Sequence, residues 1–310
     1  MPLPLDYLTT DTLDIAFERS GADDGFPVVL LHGFPYDPRS YDEAADRLVE
    51  EGAHVLVPYL RGHGPTRFRS AGTLRSGQQA ALGSDLHDFI DGLGLDKPIV
   101  AGFDWGGRAA CLTAMLWPEK VSGLVTIGGY NVHDVKAMAT TPEPPAIEAN
   151  NWHQWYFQNE RGREGLTRYR HELARQLWCE GSPHWDFDDD TFEATATSFG
   201  NPDFVDVVIH SYRVRYELTP GDPVYDELER VIATQPVITV PTIVIDPTDD
   251  PITPPLTREE HEAHFARMVD YRRTPVGHNT PQEDPEGLAT AILDVRQISH
   301  SRRADTLGIC

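Results

Sequence analysis

The chain has 310 residues, with 26 Lys+Arg against 49 Asp+Glu, so its formal net charge is −23. A balance this acidic argues against a nucleic-acid or anionic-membrane partner, since phosphate contacts need a basic patch. Three cysteines, Cys111, Cys179 and Cys310, stand far apart without a CxxC, which fits a reducing compartment better than a disulfide framework or a cysteine zinc site. No 18-residue apolar run is present for a membrane span, and the first residues lack a basic-then-apolar leader, so a cytoplasmic location is expected.

In chain order, short apolar runs at residues 28–31, 55–57, 98–101 and 124–127 are bounded by Gly or Pro and read as buried parallel strands. Between them, residues 39–50 and 77–91 carry apolar side chains at three- and four-residue spacing and predict helices. That alternation implies an α/β sheet. From about 131 to 236 the composition shifts to Trp, Tyr, His, Arg and acids, and helices predominate. Strands are then predicted at 241–246 and 270–275, with helices at 257–268 and 281–297. The expected organisation is a core over 1–130, a helical insertion over 131–236, the rest of the core over 237–298, and a frayed tail over 299–310.

The chemistry concentrates at three strand ends. Gly102-Phe103-Asp104-Trp105-Gly106-Gly107 follows the 98–101 strand and fits the elbow pattern G-x-nucleophile-x-G, in which glycines permit a sharp strand-to-helix turn. The central residue is Asp104. A carboxylate needs no general base and attacks a saturated carbon to give an alkyl ester. The blander reading is a helix N-cap; a phosphate loop is excluded by the lack of GKS/T or GxGxxG. Leu31-His32-Gly33-Phe34-Pro35 ends the 28–31 strand, where Gly and Pro would also mark an ordinary turn. Gly277-His278-Asn279 follows the 270–275 strand, and Asp249-Asp250 follows the 241–246 strand. Two other clusters read as structural: residues 188–190 lack the spacing of a calcium loop, and His171, Cys179 and His184 have no zinc spacing. No metal or cofactor is expected.

Together HGFP, GFDWGG, Asp249-Asp250 and GHN resemble the α/β-hydrolase superfamily over about residues 14–296, and within it the branch with an aspartate nucleophile, which holds epoxide hydrolases and haloalkane or haloacid dehalogenases. The resemblance implies a mostly parallel sheet with a helical cap inserted after the sixth strand. It implies the chain order nucleophile, acid, histidine, hence Asp104, Asp250 and His278, with Asp249 the less favoured acid. The acid would orient the imidazole and stabilise its charge. The backbone N–H groups of Phe34 and Trp105 would form the oxyanion hole.

Within the branch the cap discriminates. Epoxide hydrolases place two cap tyrosines on the epoxide oxygen; Tyr212 matches one of them, while His153, in Trp152-His153-Gln154-Trp155-Tyr156-Phe157, stands at the other. A histidine can still donate from its ring. Fluoroacetate-type dehalogenases carry Asp-Arg-Gly-Gly-Arg after the nucleophile, of which only Arg108 is present, and it also reads as a structural pair on its helix. Trp152 or Trp155 would line the substrate pocket, although aromatics at helical spacing also read as core. The resulting expectation is a hydrolase working through a covalent aspartyl ester, with an epoxide converted to a vicinal diol. A haloalkanoate dehalogenase and a non-catalytic ligand-binding homologue are the alternatives. The expected partner is a small-molecule substrate, and a homodimer stays open.

Overall fold

The computed structural model describes residues 5–306, with side chains through Ser299. Nine strands form one sheet: β1 (Leu5–Thr9), β2 (Leu13–Ser20), β3 (Phe26–Leu31), β4 (Ala53–Pro58), β5 (Arg67–Phe68), β6 (Ile99–Phe103), β7 (Gly123–Ile127), β8 (Thr242–Pro247) and β9 (Met268–Thr274). Their order is β1-β2-β4-β3-β6-β7-β8-β9, with β5 beside β2. The pairs from β4 to β9 are parallel; those of β2 with β1, β4 and β5 are antiparallel. Strands β4, β6, β7 and β8 are buried along their whole length, as a sheet covered on both faces requires.

Helices α1 (Asp42–Glu50), α2 (Gln79–Gly92), α3 (Asp104–Leu116), α11 (Arg258–Glu262), α12 (Thr280–Glu283) and α13 (Pro285–Thr306) belong to this core. Seven helices intervene between β7 and β8: α4 (Val135–Thr140), α5 (Pro145–Asn150), α6 (Trp152–Tyr156), α7 (Glu160–Gly181), α8 (Asp189–Ala196), α9 (Phe204–Val214) and α10 (Asp226–Ile232). Among the described residues no helix is long and apolar enough to cross a membrane.

Three expectations need correction. The helical insertion follows the seventh strand, because β5 has only two residues and leaves no apolar run to read. The helix expected at 257–268 stops at Glu262, after which β9 opens at Met268. The last helix continues to Thr306, so residues 299–306 are helical rather than a frayed tail; residues 307–310 lie outside the described residues.

The helical segment is seated on the core by polar hooks. Trp178 Nε1 donates to the Pro35 carbonyl at 2.8 Å. Buried Asp37 accepts from Ser198 Oγ at 2.6 Å and Thr195 Oγ1 at 2.9 Å. At the end of α7, the Gly181 carbonyl accepts the His278 backbone N–H at 2.9 Å, and Ser182 Oγ donates to Glu283 at 2.6 Å. The helical segment therefore rests directly on the loop that carries His278.

Candidate active site

Parallel pairing of β3 with β6, Leu31 opposite Gly102, brings the two strand-end loops together. Asp104 is the first residue of α3 and has φ +48°, a left-handed backbone that costs a non-glycine residue about 1–2 kcal/mol. Close packing holds it there: a Cβ on Gly106 would meet the Leu31 carbonyl oxygen at 1.9 Å, and one on Gly33 would meet the Asp104 Cβ at 2.7 Å. Asp104 does not act as a side-chain cap of α3. Its Oδ2 accepts instead from the Phe34 backbone N–H at 2.7 Å. The Trp105 N–H lies in the first turn of α3, where a helix offers no internal acceptor.

His278 Nδ1 lies 2.8 Å from Asp250 Oδ2. Asp250 is also held by the N–H groups of Ile252 at 2.7 Å and Thr253 at 3.2 Å. Asp249 is turned elsewhere, its Oδ1 accepting from the Thr248 hydroxyl at 3.3 Å. Burial presses the His278 pKa down, but the carboxylates of Asp250, Asp104 and Glu283 outweigh it and raise the value to about 9.

On the side of the helical insertion, Tyr212 from α9 packs edge-on to Phe34, with ring centroids 5.7 Å apart, and lies 6.2 Å from Trp105. The His153 ring stands perpendicular to Tyr212 at 5.4 Å. Burial first, and Asp104 with it, raises the Tyr212 pKa against the opposing Arg215, so the phenol stays protonated. Burial, then Arg215, lowers the His153 pKa to about 3 even though Asp104 opposes this, so its ring is neutral. Its Nδ1 is buried without a hydrogen-bond partner, and so is Trp105 Nε1. A protonated phenol and a neutral imidazole thus pack together within electrostatic reach of the Asp104 carboxylate.

The other expected pocket residues separate. Trp152 touches His153, with ring centroids 6.2 Å apart, but its indole N–H is committed to Glu180 at 2.7 Å. Trp155 is 41% exposed and packs on Tyr216, so it does not line the pocket: it lies on the outer side of α6, a side that helical spacing alone does not indicate. Arg108 is buried one helical turn after Asp104, and its Nη2 lies 2.6 Å from His133 Nε2. Sequence reasoning missed Tyr36, which packs against Phe103 and His278 just beyond the HGFP loop, and Arg215, whose guanidinium carbon lies 4.3 Å from the Tyr212 ring centroid. Tyr36 was within reach as the next residue of that motif; Arg215 carries no local signal. Among the described residues no cluster of His, Cys, Asp or Glu is arranged to hold a metal ion.

Residues 27–285 match the family described as alpha/beta hydrolase fold. A crystal structure of a provisionally assigned epoxide hydrolase from Klebsiella pneumoniae is 39% identical, covers 94% of this chain and 97% of that one, and superposes with a TM-score of 0.91. Epoxide hydrolase 3 of Siraitia grosvenorii is 28% identical over 46% of this chain and 43% of its own length. The Bacillus subtilis AB hydrolase superfamily protein YfhM is 30% identical over 49% of this chain and 52% of its own. The chain thus spans about half the length of the curated relatives it matches.

Proposed function

This chain belongs to the α/β-hydrolase family, and we propose that it is an epoxide hydrolase working through an ester on Asp104. One observation carries the reading: a carboxylate occupies the strained elbow, and two un-ionised ring donors, Tyr212 and His153, pack on each other and, through Tyr212, on the Phe34 and Trp105 that adjoin it. A carboxylate attacks a strained C–O bond readily, and ring donors stabilise the oxygen that leaves. The relatives named as epoxide hydrolases support the same reading.

In the first step an Asp104 oxygen bonds to an epoxide carbon, that carbon's bond to the ring oxygen breaks, and the oxygen takes up one proton with Tyr212 and His153 as donors. Asp104 is then a neutral ester. His278 has lost one of the carboxylates that raised its pKa, so its imidazole becomes available as a base. It removes a proton from water, which attacks the ester carbonyl; the N–H groups of Phe34 and Trp105 hold the oxyanion, and a vicinal diol leaves. His278 releases its resting proton to solvent before it takes one from water, the second hydrogen of that water goes to the departing alcohol oxygen, and the ring donor regains its proton from solvent, so the net change is addition of water.

A single turnover in H2-18O with enzyme in excess tests this. The first diol should carry no heavy oxygen, which should appear in Asp104; a singly labelled first diol would mean direct attack by water and would overturn the ester. A second reading, cleavage of a carbon–halogen bond, is favoured by the unpartnered Trp105 Nε1, a donor that a halide would accept. It requires halide release from a haloalkanoate and no turnover of epoxides.

A further inference from the structure

The backbone N–H groups of Gly277, His278 and Asn279 are each taken by an acceptor outside that tripeptide. The Gly181 carbonyl accepts from His278 at 2.9 Å, Ser182 Oγ from Asn279 at 3.1 Å, and Glu283 Oε2 from Gly277 at 3.0 Å. Ser182 Oγ in turn donates to Glu283 Oε1 at 2.6 Å. A serine at the end of α7, in the helical insertion, and a glutamate at the end of α12, in the core, thus close a clasp around the histidine loop. The surfaces meet without slack: a Cβ on Gly277 would lie 2.5 Å from the Ser182 Cα. Ser182 is buried and Glu283 half-buried.

The clasp needs an acceptor for Gly277 and a polar partner for Ser182, and a neutral amide could serve as both. A carboxylate is the more costly choice, because withdrawing it from water is unfavourable unless a cation compensates it. Among the described residues no Lys or Arg pairs with Glu283. Burial raises its carboxyl above the usual range, opposed by the donors Ser182 and Gly277 and by His278, the cation in reach. The influence is mutual, since Asp250, Asp104 and Glu283 are the carboxylates that raise the His278 pKa. Two other titratable groups stand by His278, and both are un-ionised at neutral pH. Tyr36, in the loop after β3, lies 6.1 Å away between ring centroids, and burial pushes its phenol well up. His153, from α6, is held down to about 3 by burial and Arg215, with His278 adding to this. Three carboxylates therefore carry the negative charge around the base. Alkylation of Asp104 would remove one and leave Asp250 and Glu283.

We propose that Glu283 is a positioning residue of the ester-breakdown step: it acts through His278, as a second carboxylate behind the base, and Ser182 holds it there from the end of the helical insertion. Asp250 occupies Nδ1, so Nε2 is the atom that takes the proton from water. Glu283 stabilises the imidazolium that results, and the clasp fixes the loop on which the ring turns. The step itself rests on the ester reading above, but the action of Glu283 on His278 is measurable without a substrate.

That measurement is a pH titration of the His278 imidazole by NMR in protein with isotope-labelled histidine, assigned by its loss in His278→Ala. Glu283→Gln can keep both hydrogen bonds of the clasp and lacks only the charge. Its imidazole should titrate at least about half a pH unit below the native one. Ser182→Ala keeps the charge and drops its tether, so its imidazole should titrate between the two. A native titration in both variants would overturn the proposal. Single turnovers of 5,6-epoxyhexanoate read the same effect in the reaction. In Glu283→Gln the ester should form at the native rate, and its breakdown should level off at a lower pH and a lower plateau. An ester that forms and decays with the native pH profile in Glu283→Gln would refute the role of Glu283 and leave the epoxide reading standing. A lowered titration with no ester formed, even by the native protein, would keep the action of Glu283 on His278 and count against the epoxide reading.

Discussion

At the scale of single residues, the site works by opposing charges. Asp104 and Asp250 flank His278 and raise its pKa to about 9, so the resting imidazole is charged at neutral pH. In the proposed mechanism, forming the ester would remove one of those charges and leave the imidazole as a base for the step that needs one. The rate of ester breakdown should therefore rise with pH and level off below about pH 9; single-turnover decay of the ester across pH 5–10 checks this. In the same proposal Tyr212 acts in the other step. Tyr212→Phe should slow ester formation by about 10²-fold or more, the usual scale for a lost proton donor. Stopped-flow detection of the two phases should leave the breakdown rate largely unchanged. Asp104 was legible from its own elbow motif, whereas the roles of Asp250, His278, Phe34, Tyr212 and His153 were read through the family resemblance, each from a short stretch of sequence. Arg215 and His133 carry no such motif and come to line one cavity only through the fold.

At the scale of elements, the elbow is the least tolerant joint. It requires β3, β6 and α3 to approach more closely than side chains allow, and Gly106 is where they meet. Gly106→Ala drives a methyl group into the Leu31 carbonyl, and the forced backbone shift should cost about 1–3 kcal/mol. Thermal melting should show it, together with loss of activity as Asp104 moves; an unchanged melting point would contradict this packing. The buried strands at β3, β4, β6, β7 and β8 were legible because each is a continuous apolar run. The β1–β2 hairpin was not, because β1 is half exposed and its pattern weak, and Trp155 was misplaced because periodicity gives spacing and not direction.

At the scale of the whole molecule, stability should peak near neutrality and fall on both sides. The buried histidines His32, His63, His133 and His153 have pKa values depressed below 6.5, chiefly by burial. The stability they contribute is present above pH 6.5 and is lost as the pH falls and each must be charged. His278 is raised instead, so its contribution is complete below pH 6.5 and is lost as the pH rises through about 9. Asp37, raised to about 7 by burial against its hydroxyl partners, adds a further loss as the pH rises from about 4 to 7, which the four histidines together oppose. Melting temperatures from pH 4 to 10 should thus trace a dome with its maximum at about pH 6–7. His278→Ala should flatten the alkaline limb and leave the acid limb intact; a native profile that climbs to pH 9 would contradict the charge arrangement around His278.

The central claim is that Asp104 forms a covalent ester that His278 releases. Intact-protein mass spectrometry of His278→Ala, incubated with 5,6-epoxyhexanoate, its methyl amide and fluoroacetate, tests it most directly. The account requires a stable adduct equal in mass to a whole epoxide, located on Asp104 and abolished in the Asp104→Asn/His278→Ala double variant. An adduct equal to fluoroacetate less its halide, with none from either epoxide, would move the chemistry to carbon–halogen cleavage. No adduct from any of the three would contradict the covalent mechanism.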